Sequence, residues 1–316
     1  MHPENKIDVI VVGELNVDLI LNGIGTLPAL GKEILASGMT LTLGSSSAIF
    51  ASNLSSLGSK VSFAGKIGND LFGNLVLESL HDKGVNTDLI LQSDDLHTGA
   101  TVVLNYQENR AMVTHPGAME HLQSHEIPKE KIASAKHLHL SSYFLQKGMI
   151  KNMVSFFREA KQCGLTTSLD PQWDPEEKWE MNLQELLPWV DVFLPNEEEL
   201  LNLTRQPDTG AALDMLSAFA NRVVVKLGNR GSLSAYRGER KLLPAFHNSS
   251  VVDAIGAGDS FNAGFIHQFI QDAEPEACQR FANLIAAIST TAAGGTGAFR
   301  DIHHKIQNAG NLYGFR

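Results

Sequence analysis

Nine residues near the C-terminus, Asp253-Ala254-Ile255-Gly256-Ala257-Gly258-Asp259-Ser260-Phe261, have types and spacing suited to chemistry on an anion. Ser250, Val251 and Val252 lead into a turn of small residues, which opens into the helical pattern Phe261, Ala263, Phe265, Ile266, Phe269. Gly256 and Gly258 let the backbone bend tightly and come close to a ligand. Amides at a helix start point outward unpaired, and the helix dipole favours negative charge there. Asp259 then stands in a positive pocket. A carboxylate there either caps the helix or takes a proton from a hydroxyl attacking a phosphoryl group held by the amides.

Other groups carry polar chemistry. In Gly13-Glu14-Leu15-Asn16-Val17-Asp18, Asn16 and Asp18 alternate in an extended segment and share one face. Two acceptors on one face could hold neighbouring hydroxyls of a polyol, and the same residues suit an Asx turn. Gly44-Ser45-Ser46-Ser47-Ala48-Ile49 begins a helix, with the three serines as cap candidates. Pro195-Asn196-Glu197-Glu198-Glu199 places acids in a helix first turn, where the dipole favours them; simple capping accounts for Glu197 and Glu198. Lys226-Leu227-Gly228-Asn229-Arg230-Gly231 puts a cation at a strand end beside a glycine turn. That suits nucleotide phosphates, or a tight hairpin with Gly231 left-handed. Asn283, on a helix over 276–293, reads as solvent-facing.

The elements that must position these residues alternate. Strands are expected at Ile7–Val12, Val61–Ala64, His137–Leu140, Thr166–Leu169, Val190–Leu194 and Val223–Leu227. Helices are expected at Ala48–Leu57, Asp70–Lys83, Met149–Cys163, from Glu197, at Ser260–Ile270 and at Pro275–Ala293. Such alternation implies an α/β fold of three layers around a mostly parallel sheet. Residues 19–43 and 98–115 break the pattern with strand-like runs and turns. They form either edge excursions of the main sheet or a small separate sheet, which as a lid would exclude water from a transferring phosphoryl group.

Composition excludes several classes. A net charge of -10 without a basic run argues against nucleic acid as a partner. No apolar stretch reaches about 18 residues, so no membrane span is expected. The polar start Met1–Lys6 reads as no signal peptide. Cys163 and Cys278, far apart and without metal-ligand spacing, read as reduced, buried residues of a cytoplasmic protein. Gly31-Lys32 is followed by Glu33, so there is no P-loop, and no G-x-G-x-x-G follows the first strand. His137, His139, His303 and His304 lack a metal-site pattern, and Trp173 and Trp179 read as packing anchors.

The segment Asp253 to Phe261 resembles the C-terminal signature of the ribokinase-like (PfkB) carbohydrate kinases, D-[TA]-x-G-A-G-D-x-F. The resemblance runs from Ile7 to about Gly297, with further motifs in the family's order. It implies one ribokinase-like kinase domain over 1–316, with the lid segments inserted in it. It implies an anion hole from Gly256, Ala257 and Gly258, with Asp259 as the base. Asn16 and Asp18 would grip the sugar, with Gly44, Ser45 and the lid residue Arg110 as further substrate contacts. Asn196 and Glu199 would organise the water shell of Mg²⁺. Lys226, Gly228, Gly231 and Asn283 would border ATP, and Asp253 and Ile255 are candidates for a monovalent cation such as K⁺. Ser45 and Ile49 depart from the family's second glycine and asparagine, which points to a substrate pattern different from ribose. The expected activity is ATP-dependent phosphorylation of a primary hydroxyl on a small sugar or sugar acid (ribose, fructose or 2-keto-3-deoxygluconate type). A nucleoside kinase of the same fold, with Ile49 beside an apolar slot, and a catalytically silent binding module are the alternatives. The sequence leaves the oligomeric state open, with a homodimer paired through the lid as one option.

Overall fold

The computed structural model describes residues 7–26, 28–106, 109–248 and 251–310. The apolar run Ile7–Val12 forms β1, buried between parallel neighbours β4 (Val61–Gly68) and β8 (Ala135–Ser141). Strands β5 (Asn86–Ser93), β9 (Thr166–Asp170), β10 (Val192–Phe193) and β11 (Arg222–Lys226) extend the parallel sheet. The hairpin β12 (Ser232–Tyr236) and β13 (Glu239–Leu243) adds an antiparallel edge. The order across nine strands is β13-β12-β11-β10-β9-β8-β1-β4-β5.

Helices α1 (Ser46–Ser56) and α2 (Leu71–Asp82) cover one face. Six short helices cover the other: α3 (Lys129–Ile132), α4 (Lys147–Ile150), α5 (Met153–Gln162), α6 (Leu183–Leu186), α7 (Glu197–Thr204) and α8 (Thr209–Leu216). Then α9 (Ala257–Phe269), α10 (Pro275–Ser289) and α11 (Ile302–Gln307) return to the face of α1. The apolar clusters on the two faces, around Phe50, Phe63 and Phe265 on one and Phe157, Leu138 and Phe193 on the other, make the expected three layers.

Strands that follow β1 in the chain lie on both its sides, so the order reverses at β1. In open α/β sheets a crevice forms there, beyond the carboxyl ends of the strands. Over that end sits a separate sheet of order β3-β2-β6-β7, built from β2 (Asn16–Asn22), β3 (Gly38–Leu43), β6 (Gly99–Tyr106) and β7 (Asn109–His115). Of the two options for 19–43 and 98–115, the separate sheet is the one formed. Its outer face leaves Met39, Leu41 and Val113 exposed, while Met112 is exposed on the face of Asn16 and Asp18.

Several boundaries differ for physical reasons. The second strand starts at Asn16 rather than Leu19, because Asn16 to Leu21 pairs in parallel with Gly99 to Leu104. The helix expected over Met149–Cys163 is interrupted at Lys151–Asn152, where the Asn152 carbonyl accepts the Phe156 amide and starts a new helix. α10 ends four residues early, as Thr290 and Thr291 turn their hydroxyls back onto the carbonyls of Ala287 and Ile288. α9 starts three residues early, because Gly256 adopts the left-handed N-cap conformation (φ 71°). Val251 and Val252 form no strand and are exposed; Ser250 lies outside the described residues. Cys278 is buried and Cys163 half-buried, both as free thiols.

Candidate active site

The crevice is built around α9. A Cβ at Gly256 would stand 2.7 Å from Gly295 Cα and 3.1 Å from Ile49 Cγ2, so only glycine lets the loop pack there. The first intrahelical bond runs from Ser260 N to the Gly256 carbonyl at 2.8 Å. The amides of Gly258 and Asp259 precede it and face the open end. The Ala257 N–H is donated to the Ala254 carbonyl at 3.2 Å. The Gly258 and Asp259 amides are therefore the candidate anion donors of this helix start.

Lys226, at the end of β11, reaches the same spot. A Cβ on Gly258 would lie 3.8 Å from its Nζ, and Nζ donates to Asp170 Oδ2 at 2.9 Å. Burial disfavours the ammonium, but Asp170, Glu199 and Asp259 together hold its pKa above the usual value. Asp259, 6% exposed, is pushed up to about 8 by burial, reinforced by Asp170 and Glu14 and opposed by Lys226 and the Ser46 hydroxyl. Glu199 is raised to about 7 by burial and Asp170 against the pull of Lys226. Carboxyl groups thus outnumber the one ammonium, Lys226, among these residues.

Asn196 and Glu199 form the capping box of α7: Glu199 N donates to Asn196 Oδ1 at 2.8 Å, and Asn196 N to Glu199 Oε2 at 2.8 Å. Asn196 Nδ2 adds a bond to Glu199 Oε1 at 2.7 Å. Capping therefore falls on the pair assigned to Mg²⁺, while Glu197 pairs with Arg230 and Thr209. Among the described residues no three His, Cys, Asp or Glu gather around a possible metal ion. The set suits a hydrated cation held through water rather than a fully dehydrated one.

On the small sheet, Asn16 Nδ2 donates to Asp18 Oδ1 and to Thr101 Oγ1, both at 3.0 Å, and Thr101 meets Thr114 at 3.0 Å. Asn16 and Asp18 share one face, as their alternation requires. Gly44 lies beneath them, and a Cβ there would stand 2.7 Å from Asn16 Nδ2. Gly44→Ala is expected to displace this pair and lower kcat/KM for the sugar by on the order of 10²-fold while KM for ATP holds; steady-state kinetics with each substrate varied checks this.

The three serines divide their work. Ser45 Oγ donates to the Glu14 carbonyl at 2.5 Å and accepts from Ala48 N at 2.9 Å, capping α1. Its hydroxyl proton is committed to the scaffold, and one lone pair of its oxygen is left for a ligand. Ser45 holds φ 71°, a conformation that glycine adopts more readily. Ser47 donates to the buried Glu14 carboxyl, and Ser46 turns towards Asp259. Ile49 is buried against Gly256 and Gly295.

At the nucleotide side, Gly228 (φ 60°) has open space where a Cβ would point. Gly231 is structural: its φ is 96° and a Cβ would stand 2.5 Å from Ala245 N. Asn283 is buried rather than solvent-facing. Its Oδ1 accepts from Ser232 Oγ at 3.0 Å and its Nδ2 donates to the Pro244 carbonyl at 3.2 Å, so it holds the β12–β13 hairpin. Asp253 accepts the amides of Ile255 and Gly294, both at 2.9 Å. Arg110 lies in β7, and its side chain lies outside the described residues.

Sequence reasoning missed Asp170, fully buried, which also accepts from Asn262 Nδ2 and Gln172 Nε2. It missed Glu14, Thr101 and Gln172 as well. The one available signal was an acid, Asp170, ending an otherwise uncharged strand. His137 and His139 are strand residues as read, but they form a buried ladder with Thr166, Ser168 and Ser141 at 2.7–2.8 Å. Burial keeps His137 neutral, down to about 3. Trp179 is buried, whereas Trp173 is 42% exposed.

Residues 6–301 match the family model described as pfkB family carbohydrate kinase. A deoxyribokinase of Salmonella typhi is 28% identical, covering 93% of this chain and 96% of its own. A 2-dehydro-3-deoxygluconokinase of Bacillus subtilis is 26% identical over 92% of this chain and 91% of its own. The structure of Arabidopsis thaliana ribokinase complexed with ribose and ATP superposes with a TM-score of 0.86 at 25% identity, covering 99% of this chain and 100% of that one.

Proposed function

We propose that this chain, which belongs to the pfkB family of carbohydrate kinases, transfers the γ-phosphoryl group of ATP to a primary hydroxyl of a small sugar or sugar acid. The observation that carries the reading is Asp259 standing in the first turn of α9 beside the Gly258 amide and Lys226. A carboxyl whose affinity for protons is raised can accept the proton of the attacking hydroxyl. The Gly258 and Asp259 amides and Lys226 can stabilise charge on the transferring group. In the balanced step, the sugar oxygen bonds to the γ-phosphorus, the bond to the ADP oxygen breaks, and the hydroxyl proton moves to Asp259.

Asn16 and Asp18 orient the sugar beneath the small sheet, which acts as a lid. Lys226 meets the phosphates, with Gly228 on the open side of the nucleotide site, while Gly231 and Asn283 hold its walls. Asn196 and Glu199 would hold Mg²⁺ through water, where it supplies further positive charge. A monovalent cation beside Asp253 and Ile255 would compete with two amides for one carboxylate, so no step is assigned to it. Ile49 packs against glycines, so it supplies no slot for a nucleobase. Met39, Leu41 and Val113, on the face turned away from Asn16 and Asp18, are the side chains through which the lid would pair two copies.

The test is ADP release from the full chain with Mg·ATP and a panel of sugars, sugar acids and nucleosides. Turnover confined to sugars or sugar acids is expected. Turnover confined to nucleosides would overturn the substrate class, and saturable sugar binding without turnover on any of them would overturn the activity.

A further inference from the structure

Gln172 lies outside every motif above, yet its side chain bridges two acids of the crevice. Its Nε2 donates to Asp259 Oδ1 at 3.1 Å and to Asp170 Oδ2 at 2.8 Å. Both amide protons are thus directed at carboxyl groups. The backbone holding it is fixed from behind: the Ser142 amide donates to the Asp170 carbonyl and the Tyr143 amide to the Pro171 carbonyl, both at 3.1 Å. Gln172 itself sits at φ 58°, a left-handed conformation that a non-glycine residue keeps only where its surroundings require it. A strained residue with both donors aimed at the reactive end of the crevice is placed for function rather than for loop stability.

We infer that Gln172 is the positioning residue of the phosphoryl-transfer base: it fixes the Asp259 carboxyl through Oδ1 and ties it to the Asp170–Lys226 pair, leaving Oδ2 for the substrate hydroxyl. This rests on Asp259 being the base. A hydrogen bond donated to a carboxylate favours its charged form. Gln172 therefore opposes the groups that disfavour that form, which are burial, Asp170 from β9 and Glu14 beyond β1; Lys226 from β11 and Ser46 from α1 act on its side. A neutral amide between two acids separates like charges without adding a cation that would compete for phosphate.

Gln172→Gly removes the amide and suits the backbone, since φ 58° is favourable for glycine. The expected result is a fall in kcat of about tenfold, as for loss of a charge-assisted hydrogen bond. KM for ATP and sugar should stay within about twofold, because both amide protons are spent on carboxyl groups. The acidic limb of kcat/KM should move to higher pH, which a merely structural role would not produce. Gln172→Asn, tolerated at this backbone and carrying a shorter amide, should recover part of the loss. A Gln172→Gly enzyme with wild-type kcat and an unmoved acidic limb, whatever its melting temperature, would overturn the inference. Asp259→Asn measured alongside separates the two ideas. Wild-type turnover there removes the base itself, whereas an inactive Asp259→Asn beside an unaffected Gln172→Gly removes only the role of Gln172.

Discussion

Asp259→Asn is expected to lower turnover by about 10²- to 10⁴-fold while leaving ATP binding largely intact. The amide keeps the shape and the hydrogen bond from Gln172 but cannot take a proton. Titration calorimetry with ATP and a turnover assay check the two halves of the expectation. The same carboxyl sets two pH dependences. Burial, reinforced by Asp170, raises it to about 8, so kcat/KM of the wild type should fall as pH drops below that value and the base becomes protonated. Stability runs the other way. A carboxyl raised in the folded state contributes stability below its ordinary value near 3.8, lost as pH rises through about 8. Asp259→Asn should therefore melt higher than wild type at pH 8, with the gain shrinking towards pH 4. More stable and inactive is the signature of a site residue whose burial is costly to the fold.

Lys226→Met should unfold the protein more readily than any surface change. It leaves Asp170, fully buried, without its cation, and breaking a buried pair from one side costs about 3–5 kcal/mol. A fall in melting temperature of about 10 °C is expected. Turnover should fall as well, because the same ammonium stands over Gly258, where charge develops. The double variant Lys226→Met/Asp170→Asn separates the effects. Removing the orphaned charge should restore much of the melting temperature and none of the activity. Equal recovery of both would mean that Lys226 acts only through the fold.

What could be read from the chain depended on how local each cause was. The β1 run, the cap candidate Ser45 and the glycines of the Asp253–Asp259 turn are written in neighbouring residues, and the structure keeps them. The site's second half is not local. Lys226 meets Asp170 across 56 positions, Asn262 meets it across 92, and Gln172 meets Asp259 across 87. No periodicity joins such residues; only the parallel order of β9, β10 and β11 brings them to one end of the sheet. The edge hairpin β12–β13 escaped for another reason. With β12 half-buried and β13 exposed, it carries mixed Ser, Glu, Arg and Lys rather than an apolar alternation. Ser45 shows a third kind of limit. A hydroxyl in this turn reads as a substrate contact from the sequence, while its scaffold partners, the Glu14 carbonyl and the Ala48 amide, are visible only in the fold.

Product identification tests the central claim most directly. ATP labelled in the γ-phosphoryl group is incubated with the full chain, Mg²⁺ and each sugar or sugar acid that releases ADP, in parallel with Asp259→Asn. The predicted result is label recovered as a phosphate ester on a primary hydroxyl, formed by the wild type and lost in the variant. Label on inorganic phosphate alone, or ester formed equally by both proteins, would contradict the account.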